Sequence, residues 1–421
     1  MAKNKWLGTA PAVAQVDTFT PGGTIEADDL FILTITGFDG TTEIISVAAG
    51  GTGVDDVTGA LETAWNASTG ALASTITASD ETTHLTLTAD TAGIAFKVVG
   101  TTTEAGGGAA DDQTFIRTAT TKNEGPNDWS STGNWSQGTI PGATASEDTW
   151  IENSSVDILY GLDQSGAAET LTSLHFARTY TGLVGHNGAA GLIGDYLQVK
   201  ASEVQIGEHF SQARANGSSR IKLDVGTVES DISVLYMASS TDSPKPACRL
   251  LMNNAATDII EIKKGSVGVG SETDETSTLN DIRVSFDTLQ NTDSELQLGE
   301  GVTFNLLVCD GGKTITRTTT DLSSETVTVN AGSLVFDGSS ALGTLNVSGG
   351  DVEPISTGDI TALNVTGGNC DFTTSAEPRT VTTPKLDGPG VLSFDPAIVT
   401  FTNAIAPVTA SGKQQYRATK L

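Results

Sequence analysis

Leu345-Asn346-Val347-Ser348-Gly349-Gly350-Asp351-Val352 returns 18 residues later as Leu363-Asn364-Val365-Thr366-Gly367-Gly368-Asn369-Cys370, and Val327-Thr328-Val329-Asn330-Ala331-Gly332-Ser333-Leu334 precedes it at the same spacing. The shared template is apolar, any, apolar, two polar, Gly, polar, apolar. Alternation at period two puts the apolar residues on one face of a short strand, and the glycine at the turn frees the backbone to reverse direction. A unit this short cannot bury its apolar face alone. Its copies must stack, which predicts a solenoid with Gly332, Gly350 and Gly368 as structural turn residues.

The template runs back through Gly301, Gly265 and Gly226 to Leu197, where Ser202 takes the glycine position, and forward to Gly390 ahead of Leu392 and Phe394. The intervals are 39, 36, 31, 18, 18 and 22 residues, the first two near twice 18, so coils of 18 to 22 residues follow, some without a clear glycine. Between Ser202 and Gly390 that makes about nine coils, rising roughly 45 Å at about 4.8 Å per coil. The pattern resembles a parallel β-helix of the pectin-lyase-like type. The likeness is architectural and rests on the repeat, with no catalytic motif in it.

An open solenoid end exposes its first apolar layer. Trp129, Trp135 and Trp150 stand within 22 residues just ahead of the first coils and are read as structural cap residues, with stacking on sugar rings as the alternative.

Residues 1–122 read as a separate β-rich docking domain. Strand-like runs at 29–35, 42–47, 84–88 and 95–99 are split by Gly, Asp and Thr turns, and one helix, capped by Asp55, carries Val57, Ala60, Leu61, Ala64 and Trp65 on one face. Residues 105–112 form a glycine-rich loop and 118–127 a polar linker. The expected fold is mainly β: an N-terminal β-sandwich-like domain with one helix, followed by a parallel β-helix solenoid. The divisions are 1–122, a linker and Trp-rich cap at 123–155, the β-helix at 156–402 and a tail at 403–421.

Composition narrows the function. Lys and Arg number 22 against 51 Asp and Glu, a formal net charge of −29, which opposes phosphate contact and hence nucleic-acid binding. No run approaches the ~18 consecutive apolar residues of a membrane span. Met1 to Trp6 carries two cations but no apolar stretch behind them, so no secretory signal is expected. Cys248, Cys309 and Cys370 lack metal-ligand spacing and read as buried free thiols.

No catalytic, cofactor or metal residue stands out. Gly50 to Val57 fits one unit of a calcium-binding nonapeptide, yet such sites need stacked copies, so it reads as a loop into a helix. His84, His175, His186 and His209 are scattered and read as ordinary surface or turn residues. The acid pairs Glu229/Asp231, Asp258/Glu261, Asp281/Asp287 and Asp293/Glu295 have the residue types of a glycosidase, but 51 acids produce such neighbours by chance. Arg220, Lys222 and Asp224 alternate with Ile221 and Leu223 and so share an outward face, where a polysaccharide lyase could place a base beside calcium-binding acids.

The opening Trp6-Leu7-Gly8-Thr9-Ala10-Pro11-Ala12-Val13-Ala14-Gln15-Val16, with Trp65-Asn66-Ala67-Ser68 and Leu87 to Phe96, resembles the N-terminal domain of tailed-bacteriophage virion proteins. That resemblance implies a non-enzymatic structural protein of the virion, of the capsid decoration, cement or head-fibre type. Its N-terminal domain would dock on the major capsid protein or another virion protein, its β-helix would project outward, and it would form a homotrimer. The alternative it leaves open is a tail spike or fibre that binds, or cleaves, host surface polysaccharide. Lys3 and Lys5 at one end, and Lys413, Arg417 and Lys420 at the other, set basic termini against an acidic body; they either fold back on it or reach a neighbouring protein.

Overall fold

From Asp148 onward, short parallel strands stack rung upon rung into a β-solenoid of about 11 turns. The computed structural model describes residues 3–104, 112–208, 217–254, 256–285, 294–406 and the backbone of 417–418. One inward column runs Leu174, Val204, Ile232, Ile260, Ile282, Leu307, Val327, Leu345 and Leu363, each registered on the next. All are buried. A second column runs Ile221, Cys248, Val267, Leu296, Thr314, Leu334, Val352, Cys370 and Leu392. Cys248 and Cys370 thus take the place of aliphatic side chains, free and buried as expected, and burial pushes both thiols up in pKa. Thr314, the polar member, is satisfied across the core by the Cys309 thiol at 3.4 Å.

Coil length is not constant. Val204 to Ile232 takes 28 residues and Leu345 to Leu363 takes 18, so the early coils carry extra loop on a constant rung. The wide glycine intervals in the first half therefore reflect these inserts as well as coils without a glycine. The turn column also differs in membership. Gly312, Gly332, Gly350 and Gly368 all have left-handed backbone, with φ of 66°, 79°, 71° and 67°. A Cβ on Gly332, Gly350 or Gly368 would come within 2.4 Å of a carbonyl oxygen on the rung before it. Gly301 instead opens the strand Gly301–Thr316, and Gly390 follows the left-handed Gly388; neither has positive φ.

The N-terminal domain has two antiparallel sheets. Strands Ile76–Asp80, Leu85–Ala89, Val16–Gly22 and Thr114–Thr121 form one; Thr42–Ala48, Leu30–Thr36 and Lys97–Thr103 form the other. Phe19, Phe31, Leu33, Leu85, Leu87 and Phe115 fill the core, and the helix Val54–Ala67 covers it with Val57, Leu61 and Trp65. The Trp65 indole donates to the Ile76 carbonyl at 2.8 Å. Gly53, not Asp55, occupies the helix cap, where its N–H donates to the Asp56 carboxylate at 3.2 Å. Residues 118–121, read as linker, belong to the strand Thr114–Thr121; only Phe115 of that strand points fully inward, so it lacks the alternation that marks a strand in sequence. Residues 105–111, most of the expected glycine loop, lie outside the described residues.

The domain is an insertion. Lys3–Lys5 does not pack with it but pairs in parallel with Asp148–Trp150, forming a rung beneath the solenoid, and the chain enters and leaves the domain at the Val13–Glu124 bridge. The first solenoid strand, Asp148–Ile151, lies within the stretch read as linker and cap. At the far end, the backbone of Arg417–Ala418 pairs with Ser393 and Phe394, so part of the expected tail continues the stack.

Candidate functional site

Trp129 and Trp135 are buried in the solenoid's apolar cluster, and the third ring packed with them is Trp6, not Trp150. Trp6 lies 6.5 Å from Trp129 and 5.1 Å from Trp135, and Trp129 and Trp135 are 4.6 Å apart, ring centroid to ring centroid. Edge-on and offset contacts of this kind add to the area the rings bury. Trp150 lies apart from this trio. It stacks on His175 at 3.9 Å, one rung up, with the Lys3 ammonium 3.6 Å from its ring. His175 is therefore buried rather than a surface residue, and its Nδ1 meets Glu208 at 2.8 Å. Lys5 pairs with Glu152 at 2.5 Å. Both N-terminal cations are folded back on the chain's own solenoid.

A second seam ties the inserted domain to the coils. Phe38, in the turn after the strand Leu30–Thr36, stacks on His186 at 4.7 Å and meets Tyr160 edge-on at 5.1 Å. The Ala189 N–H donates to the Asp39 carbonyl at 2.9 Å, and Lys97 pairs with Asp195. Burial lowers the His186 pKa, and its Nε2 contacts the Leu159 carbonyl at 2.7 Å. His186, like His175, is a packing residue; His84 stands just before its strand, and His209 lies outside the described residues.

The loop that makes this seam is itself clamped. Lys222 and Arg249 are in register on adjacent rungs, whose backbones lie about 4.8 Å apart, and both point out of the solenoid. Glu272 reaches back over both, its Oε2 3.2 Å from the Lys222 amine and its Oε1 2.9 Å from Arg249 and 3.1 Å from Lys245. Asp242 accepts from Arg249 at 2.7 Å and lies 3.5 Å from Arg220. Arg249 also donates to Asn187, and Lys222 to the Gly194 carbonyl, both at 2.9 Å.

Four cations share two carboxylates here, and the side chains of Lys222, Arg249 and Glu272 are buried. Burial lowers the Lys222 pKa to about 8 although Glu272 opposes the shift. For Glu272 burial alone would raise the pKa, and Lys222, Lys245 and Arg249 overcome it and hold the carboxyl low. Burial, with Glu275 and Glu272, holds the Tyr196 hydroxyl far above its ordinary pKa, and the Lys222 ammonium lies 4.2 Å from the Tyr196 ring. Of the face read as outward, Arg220 and Lys222 are thus covered, the Lys222 side chain being 0% exposed, while Asp224 is half-buried. An amine enclosed in this way cannot meet a polymer chain. Glu272, Asp242, Lys222 and Arg249 are all paired within the cluster, while the Arg220 Nε lacks a partner; a buried ion network of this kind fixes one arrangement of three loops.

The acids are distributed differently. Glu203 and Asp231 face each other on adjacent rungs, and with Glu229 and Glu261 they line an outer groove of about 490 Å³. Burial, then Glu229 and Glu203, raises the Asp231 pKa. Asp258 is buried beside the groove rather than paired with Glu261. Its carboxylate accepts the Ser230 N–H at 3.0 Å and the Asn254 N–H at 2.9 Å, and burial raises its pKa to about 6. Asp281 is held by Arg283 at 2.8 Å, and Glu295 accepts from Gln297 at 2.9 Å; Asp287 and Asp293 lie outside the described residues.

Sequence reading missed Glu272, Asp242 and Tyr196, which have partners only once the coils stack. The acidic run Glu272 to Glu275 beside an expected turn was the one visible trace. Among the described residues no helix is long and apolar enough to cross a membrane. Comparisons with protein-family models, curated proteins and solved structures gave no match.

Proposed function

We propose that this chain is a non-enzymatic structural protein of a tailed-bacteriophage particle, of the capsid decoration or head-fibre type, assembled in the host cytoplasm and carried on the virion. The N-terminal domain docks on the major capsid protein or another virion protein, and the β-helix is displayed outward. The observation that carries the reading is how the inserted domain is held: the Val13–Glu124 bridge and the Phe38–His186 seam attach it to the solenoid at two places, which suits a rigid mount. The domain's outer face carries Ile44 and Val99, which flank Thr34 in one cross-strand row and are 67% and 58% exposed. Exposed aliphatics on a sheet face suit docking against another protein. The N-terminal arm is not the attachment device in this reading, because Lys3 and Lys5 already have partners on the solenoid.

The acidic groove favours one second reading, a spike that holds host glycan between Glu203, Asp231 and Glu261. Against it, all five tryptophans lie in packing positions, leaving none of them as a sugar platform. A mass-spectrometric inventory of purified particles with copy number separates the two. Many copies per particle support decoration, few copies support a spike, and absence from particles overturns both. The homotrimer belongs to this proposal as well; sedimentation as a single 43.2 kDa species would remove it.

A further inference from the structure

We infer that the N-terminal domain holds a calcium ion between Glu26, Asp29 and Glu104. The strand pairing brings these residues together. Leu30 is registered opposite Thr103 in antiparallel strands, so Asp29, one residue before, faces Glu104, one residue after. Glu26 joins them through the tight turn that precedes the strand, where the Asp29 N–H donates to the Glu26 carbonyl at 3.2 Å and Asp28 takes a left-handed φ of 81°. One carboxylate oxygen from each of the three lies within 4.8 Å of the other two.

Proximity of acids alone would mean little in a chain with 51 of them. Asp29 distinguishes this group. Its side chain belongs to a residue only 1% exposed; Oδ2 accepts the Glu26 N–H at 2.7 Å, while Oδ1 is buried and accepts nothing from the protein. A buried carboxylate oxygen without a donor, beside two further carboxylates, carries a desolvation and repulsion cost that a cation removes. The donors are all hard oxygens with no imidazole or thiolate among them, which selects calcium or magnesium over zinc or copper. Glu26 is exposed and Glu104 half-buried, so water can complete an irregular shell. Calcium tolerates such a shell, whereas magnesium demands a near-ideal octahedron.

Gln113 stands at the same end of the domain. Its carbonyl accepts from Thr102 at 3.3 Å, its Cα lies 3.0 Å from where a Gly23 Cβ would be, and both polar atoms of its buried side chain lack partners. A second unsatisfied group held against Thr102 and Gly23, two and three residues before Glu104 and Glu26, fits an end that is completed by a ligand.

The test uses the full chain after chelator treatment. Calcium is titrated calorimetrically across about 10⁻⁷ to 10⁻³ M, the span from sensor sites to extracellular modules, and hydrogen exchange is read with and without the ion. The expected result is one saturable site, a raised melting temperature, and calcium-dependent protection confined to residues 24–31 and 101–104. Glu104→Gln and Glu26→Gln, both at accessible positions, should each weaken binding at least about tenfold, equivalent to ~1.4 kcal/mol. Magnesium should bind more weakly. No saturable heat, unchanged affinity in both variants, or protection appearing elsewhere would each overturn the assignment.

Discussion

Trp6 packs edge-on against Trp135, ring centroids 5.1 Å apart, with the whole N-terminal domain lying between them in the chain. The solenoid is therefore closed by a residue that precedes the domain it supports. Trp6→Ala should weaken the solenoid more than the domain. Removing a buried Trp costs about 3–5 kcal/mol. Hydrogen exchange should show the loss at Asp148–Ile151 and Ser173–Ala177. Loss confined to residues 16–121 would mean that Trp6 belongs to the inserted domain.

Gly350 tests the turn column. Its φ of 71° and the 2.4 Å from its would-be Cβ to the Gly332 carbonyl oxygen leave no room for a side chain. Gly350→Ala should cost at least about 1–3 kcal/mol in chemical denaturation. Gly50→Ala, where a Cβ meets nothing within 4 Å, should be near neutral. Equal stabilities for the two variants would remove the column from the account of the fold.

Glu272→Gln should be among the most damaging polar substitutions, because it leaves Lys222 and Arg249 buried without their shared counter-charge. Breaking such a network from one side costs about 3–5 kcal/mol. The Phe38–His186 seam should loosen with it, since the clamp holds the loop carrying His186. Increased exchange at 185–195 would show that coupling, and unchanged exchange there would deny it.

Asp258 gives stability a defined pH dependence. Its folded pKa is raised to about 6 by burial, above an unfolded value near 4. Between the two the folded chain holds a proton that the unfolded chain has lost, so this group's contribution is present below about pH 4 and is lost as pH rises through 6. Unfolding free energy should fall by about 1–3 kcal/mol across that window from this group. Asp258→Asn should be less stable at every pH, because its amide N–H faces a backbone N–H, yet it should flatten the slope. A slope unchanged in the variant would assign the titration elsewhere.

The stacked repeat was readable because Leu345 and Leu363 sit at equal spacing and on one face, a signal that needs no tertiary knowledge. The insertion was not readable. Lys3-Asn4-Lys5 has no strand pattern; it forms a rung only because Asp148–Trp150 offers an unpaired edge. Trp6 was accordingly grouped with the domain that follows it. Thr114–Thr121 was hidden for a similar reason, as an edge strand with one buried aromatic. The charge clamp depends on register between coils of unequal length, so Lys222 and Arg249 look like surface cations until Glu272 is placed over them.

The claim that the N-terminal domain docks while the β-helix is displayed is tested most directly by cosedimentation. Full-length variants would be mixed with phage particles depleted of this protein. Ile44→Asp combined with Val99→Asp places two charges on the exposed sheet face and should leave the protein in the supernatant. Glu203→Gln combined with Asp231→Asn alters the acidic groove and should pellet like the wild type. Pelleting of the first variant together with release of the second would contradict the assignment and place attachment on the β-helix.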